Sequence, residues 1–168
     1  MNTPFPSFPS GSRHAAPKDL DGTPLRVLLA DDDAVSTMTA QAALESFGCS
    51  VTLAADGVSA LKTAVDGCFD LLLVDYHMPY MNGRAVARAL RALEAAKGQH
   101  ATRIVGLSAG ASAEERRQCL DAGMDAVLPK PFVLADLRKL VLRWVSPESP
   151  QAPHMPPHLT RGDTRGSA

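Results

Sequence analysis

Five short apolar runs, each stopping abruptly at polar residues, constrain this chain more than any other feature. Leu25–Ala30 (LRVLLA) ends at Asp31-Asp32-Asp33, and Ser50–Ala54 (SVTLA) ends at Asp56-Gly57. Phe69–Val74 (FDLLLV) ends at Asp75, Arg103–Leu107 (RIVGL) at Ser108, and Ala126–Leu128 at Pro129-Lys130-Pro131. Near-continuous apolarity over so few residues predicts strands buried on both faces, which implies a parallel sheet covered by helices. The segments between them have helical spacing. Val35, Met38 and Ala42 recur at i, i+3, i+7 before the stop at Gly48, and Val58–Asp66 is closed by Gly67. Val86, Leu90 and Leu93 mark a third helix, and Ser112-Ala113-Glu114-Glu115 is a capping box opening a fourth that Gly123 ends. Leu137, Leu140, Val141 and Trp144 mark the fifth. The alternation predicts an α/β fold, a doubly wound parallel sheet built as (βα)5.

Proline locates the edges of that unit. Of 13 prolines in 168 residues, five lie in 1–24 and five in 147–168, leaving Pro79, Pro129 and Pro131 for the stretch between. Proline removes a backbone donor and fixes φ, and both ends lack the apolar residues that offset ordering entropy. The expected organisation is therefore a compact core over 25–146 between two flexible proline-rich tails. A balance of 17 basic and 18 acidic residues argues against nucleic acid or an anionic membrane as partner. No apolar run approaches the roughly 18–20 residues of a membrane span, and the first 24 residues carry no secretion-signal pattern. Cys49, Cys68 and Cys119 form no CxxC pair, so three free thiols in a reducing cytoplasm are expected.

In sheets of this kind ligands bind beyond the carboxyl ends of the strands. Those ends deliver Asp31, Asp32 and Asp33, then Asp75, Ser108 and Lys130. Crowded carboxylates raise one another's pKa unless a cation lies among them. A hard divalent ion with oxygen ligands, Mg²⁺ above all, meets that need. One carboxylate is then available as a nucleophile toward phosphorus, with an ammonium and a hydroxyl to hold the phosphoryl oxygens. Asp33, or even Asp32, also suits a plain helix cap. Charge reasoning alone does not choose the nucleophile.

Four motifs resemble the receiver domains of two-component response regulators: Val27–Asp33, Leu73–Gly83 (LVDYHMPYMNG), Leu107-Ser108-Ala109 and Leu128–Phe132 (LPKPF). The spacings agree, with Ser108 lying 33 positions after Asp75 and Lys130 lying 22 after Ser108. The resemblance implies a flavodoxin-like sheet with strand order 2-1-3-4-5. It implies that Asp75 accepts a phosphoryl group from a phosphohistidine, and that Asp31, Asp32, Asp75 and the backbone carbonyl of His77 hold Mg²⁺. Lys130, preceding a cis proline, is expected to contact the phosphoryl group, and Ser108 to move toward it. His77, Ala109, Gly110 and Val127 are the expected modulating positions. Val127 stands where the family often has an aromatic switch residue, so signalling by a swinging ring is not expected here.

The implied donor is a histidine kinase or a histidine phosphotransfer protein, docking near the first helix. The downstream protein target would read the face of the fourth helix, fifth strand and fifth helix, from a monomer or a phosphorylation-dependent dimer. About 23 proline-rich residues follow the last helix, so a single-domain cytoplasmic signalling protein is expected, catalysing no more than its own phosphotransfer and slow dephosphorylation. Two alternatives remain: a receiver-shaped docking module independent of phosphorylation, and a phosphohydrolase resembling the haloacid dehalogenases with Asp31 as nucleophile.

Overall fold

A computed structural model describes residues 23–98, 102–110 and 112–145, with the side chains of 144 and 145 excluded. Apart from Thr23 and Pro24, the two tails lie outside the described residues, as does the Trp144 side chain. Five strands alternate with five helices. These are β1 (Arg26–Ala30), α1 (Ala34–Ser46), β2 (Ser50–Ala54), α2 (Gly57–Asp66), β3 (Leu71–Asp75), α3 (Gly83–Lys97), β4 (Arg103–Ser108), α4 (Ala113–Asp121), β5 (Ala126–Pro129) and α5 (Leu134–Val145). All pairings are parallel and the order is β2-β1-β3-β4-β5, as anticipated.

Strand alternation sorts the core into two layers. Leu28, Ala30, Leu72, Val74 and Ile104 pack with Ala60, Val86, Ala87, Leu90 and Cys119 under α2, α3 and α4. Val27, Leu29, Leu71, Leu73, Val105 and Leu107 pack with Ala40, Ala43, Leu44, Leu137 and Val141 under α1 and α5. Central β3 is buried along its whole length, which is why its sequence is apolar without a break up to Asp75. No described helix is long and apolar enough to cross a membrane.

Three readings of the sequence need correction. The Val35, Met38 and Ala42 stripe of α1 faces outward, with Val35 73% and Met38 71% exposed. Ala40, Ala43 and Leu44 form the buried face, an equally good helical stripe whose small side chains conceal it. Phe69 lies before β3 rather than in it, beneath the Arg26 guanidinium 5.6 Å from its ring centre. On α3, Leu93 is exposed and Glu94 is buried, because Arg91 pairs at 2.7 Å with Glu94 and at 2.8 Å with Asp125. Arg91 also donates to the carbonyls of Gly123 and Thr102, fastening α3 to the far end of the sheet.

Candidate phosphoacceptor site

Parallel strands bring their carboxyl ends to one edge, and β1, β3 and β5 set three charged side chains together there. Lys130 extends from the end of β5, with Nζ 2.6 Å from Asp31 Oδ2 and 3.1 Å from Asp75 Oδ1. Asp31 and Asp75 are buried, whereas Asp32 is exposed. One carboxylate oxygen from each of Asp31, Asp32 and Asp75 lies within 4.8 Å of the others. Three carboxylates against one ammonium leave a local excess of negative charge, and hard oxygen donors at this spacing suit a hard divalent cation. Burial pushes the Asp75 carboxyl above the ordinary carboxylate range. Lys130 opposes that shift, and the charges of Asp31 and Asp32 add to it. For Lys130, burial disfavours the ammonium, but the bonds and charges of Asp31 and Asp75 prevail and hold its pKa above the ordinary value.

The run of three acids divides by role. Asp33 caps α1, its side chain accepting from the Ser36 amide at 2.9 Å, and the Ser36 hydroxyl together with that amide holds its carboxyl below the usual range. Asp31 accepts from the Asp33 amide at 3.0 Å as well as from Lys130. Asp31, the nucleophile of the phosphohydrolase alternative, is therefore only 3% exposed and has both oxygens engaged.

Backbone bonds stitch the edge together. The Lys130 amide donates to the Ser108 carbonyl at 2.7 Å and the Tyr76 amide to the Leu107 carbonyl at 2.8 Å. The Lys130–Pro131 peptide is cis, as the resemblance implied. After Asp75 the chain turns into α3, whose first residue must be small: a Cβ on Gly83 would stand 2.3 Å from the Asp75 carbonyl oxygen. The Asn82 side chain caps that helix by accepting from the Ala85 amide.

The other anticipated positions lie on β4, on β5 and in the loops that follow β3 and β4. Ser108 is buried at the end of β4, and its hydroxyl donates to Glu115 Oε2 at 3.2 Å. Ala109 and Gly110 are exposed beside it. His77 is exposed, its ring edge-on to that of Tyr76 at 4.5 Å. Val127 is half-buried against the core layer under α2, α3 and α4. Reading the sequence missed a polar chain reaching α4: the Tyr76 hydroxyl donates to Gln118 Oε1 at 3.3 Å, and Arg84 donates to the same oxygen at 2.6 Å. The Arg84 guanidinium also lies over the Tyr76 ring. No spacing rule marks these residues, since three separate elements contribute them.

A five-stranded doubly wound sheet with an acid cluster and a lysine at its carboxyl edge defines the class of protein. The model of the response regulator receiver domain matches residues 27–142, and the chain belongs to that family. It is 40% identical over 119 residues to the sensor protein GacS of Pseudomonas syringae pv. syringae, covering 71% of this chain and 13% of that one. Among solved structures it resembles the receiver domain of sensor histidine kinase PA1611 from Pseudomonas aeruginosa PAO1, which has a magnesium ion in its active-site cleft. That match has 35% identity and a TM-score of 0.66, covering 73% of this chain and 98% of the other. The receiver domain of Ssk1, in complex with the histidine phosphotransfer protein Ypd1 of Saccharomyces cerevisiae, matches at 26% identity and a TM-score of 0.69, covering 72% and 88%. The chain spans 11–15% of the length of the sensor proteins it matches.

Proposed function

We propose that Asp75 accepts a phosphoryl group from the phosphohistidine of a histidine kinase or histidine phosphotransfer protein, making residues 25–146 the working unit of a cytoplasmic phosphorelay. The observation that carries this reading is the Asp75 carboxylate at the end of the central strand, 3.1 Å from Lys130 and flanked by Asp31 and Asp32. In the transfer an Asp75 oxygen attacks phosphorus as the P–N bond breaks, and the imidazole leaves with the electron pair. Mg²⁺, held by Asp31, Asp32, Asp75 and the backbone carbonyl of His77, would neutralise charge on the phosphoryl oxygens. Lys130 holds one of those oxygens and Ser108 donates to another. Hydrolysis of the acyl phosphate by water returns the resting state, so the protein is a phosphoacceptor that turns over no separate substrate.

The outward stripe of α1 supports the choice of donor. Val35 and Met38 are exposed on the α1 helix that Asp33 caps, and Val133 and Leu134 are exposed at the start of α5. A groove of about 340 Å³ lined by Thr39, Ala42, Phe132 and Leu134 runs between the two helices. Exposed apolar residues of this kind become the buried anchors that dominate protein docking.

The test is labelling with acetyl phosphate. Mg²⁺-dependent, hydroxylamine-sensitive labelling that disappears in Asp75→Asn is expected. Labelling retained in that variant, or no labelling at all with Mg²⁺ present, would refute the reading. Asp75→Ala leaving partner binding and output unchanged would favour the docking-module alternative.

A further inference from the structure

We propose that Glu115 is a positioning residue that holds the Ser108 hydroxyl away from the acceptor until a phosphoryl group competes for it, and that its release is what α4 senses. The proposal rests on the reading of Asp75 as phosphoacceptor and concerns how that event leaves the site.

The argument starts from proton inventory. A serine hydroxyl has one proton to donate. In this structure that proton goes to Glu115 Oε2 at 3.2 Å, while the Gly110 amide donates to the Ser108 oxygen at 3.3 Å. A phosphoryl oxygen on Asp75 needs the same proton, so binding one acceptor means giving up the other. The exchange is local but not confined to the site, because Glu115 belongs to α4. Its backbone is pinned in the first helical turn, where the Glu115 amide donates to the Ser112 side chain at 3.1 Å. Three residues along the same helix, Gln118 accepts from Tyr76 and Arg84. The helix is thus tied to the acceptor edge twice, near its start through Ser108 and farther along, at Gln118, through Tyr76, the residue after Asp75. Breaking the first tie frees the helix start to move about the second.

Two further observations fit. A Cβ on Gly110 would lie 2.5 Å from Glu115 Oε2, so the absence of a side chain there is what lets the carboxylate reach over Ser108. Val127, half-buried under α4, supplies no ring to swing, so a carboxylate latch provides a coupling that needs none.

Isothermal titration of beryllofluoride, a phosphoryl mimic, in the presence of Mg²⁺ reads the competition directly. Glu115→Ala should bind it about tenfold tighter than wild type, the factor that a hydrogen bond to a charged group is worth. Gly110→Ala keeps Glu115 but displaces its carboxylate, and should tighten binding in the same direction. In a Ser108→Ala background, Glu115→Ala should give no further gain, since the latch acts through that hydroxyl. A purely structural Glu115, serving the start of α4, predicts a lower melting temperature with equal or weaker binding, and that result would overturn the proposal. A gain that persists without the Ser108 hydroxyl would overturn it as well. Wild type failing to bind beryllofluoride would instead bring down the phosphoacceptor reading on which the latch depends.

Discussion

Asp75→Asn should make the protein more stable, not less, when no divalent ion is present. Asp75 Oδ1 lies 3.1 Å from Lys130 Nζ, and Asp31 and Asp32 each place an oxygen within 4.8 Å. At an effective dielectric constant of about 20, opposite charges roughly 3 Å apart attract by about 5 kcal/mol, and like charges roughly 5 Å apart repel by about 3 kcal/mol. Two repulsions exceed the one attraction by about 1–2 kcal/mol, and the burial of Asp75 adds to the same side. Asparagine removes the charge at nearly constant shape. In EDTA the variant should melt about 3–8 °C above wild type.

Mg²⁺ narrows the difference. At ten times its Kd it stabilises wild type by about 1.4 kcal/mol, whereas the variant, with one ionised ligand fewer, gains less. The pH dependence has a definite sign. The Asp75 pKa is raised in the folded protein, so its ionisation costs nothing where it is protonated in both states. The cost appears as pH rises through the ordinary value of 3.8 toward the raised one. The advantage of Asp75→Asn should consequently vanish below about pH 4, at the ordinary carboxylate range. Thermal melts in EDTA, in rising Mg²⁺ and across pH test all three statements. A variant that melts below wild type in EDTA, or that shares the full Mg²⁺ shift, would show that the carboxylates do not form one repelling cluster.

Three other substitutions separate the parts of the site. Asp33→Ala removes the α1 cap and should lower the melting temperature while leaving acetyl phosphate labelling intact; lost labelling would place Asp33 in the acid cluster. Gly83→Ala forces a Cβ against the Asp75 carbonyl and should cost about 1–3 kcal/mol by displacing the acceptor loop, with reduced labelling in the same preparation. Unchanged melts and labelling would show that the loop has room the structure does not indicate. Met38→Asp puts a charge on the outward face of α1 and should slow phosphotransfer from a histidine phosphotransfer protein at least tenfold, the effect of losing about 1.4 kcal/mol of docking energy. Acetyl phosphate labelling should be unaffected, and equal loss with both donors would mean that the substitution damages the fold.

The fold and the acid cluster were legible because parallel strands compress the problem. Each apolar run ends where its strand ends, and the sheet carries those ends to one edge, so Asp31, Asp75, Ser108 and Lys130 could be gathered without knowing any distance. Legibility failed wherever two local explanations competed. Asp31, Asp32 and Asp33 are identical in sequence terms, and only the backbone turn into α1 assigns the cap to Asp33. The faces of α1 could not be told apart because alanine fits either environment, so the larger Val35 and Met38 attracted a core assignment that the packing of Ala40, Ala43 and Leu44 overrules. Leu93 and Glu94 exchanged places for a different reason: burying a carboxylate is unfavourable unless a partner is supplied, and Arg91 supplies it from the same helix.

Glu115 shows the limit most plainly. The capping box accounts for its presence three residues after Ser112, and that account is correct for its backbone amide. The carboxylate is a separate group with its own partner, chosen by the approach of α4 to the end of β4 and by the missing side chain at Gly110. A residue with a local role for its backbone therefore gives no sign in sequence that its side chain is engaged elsewhere. Here that second engagement lies between the acceptor edge and the helix expected to report on it, in a receiver with valine where a switching ring would otherwise stand.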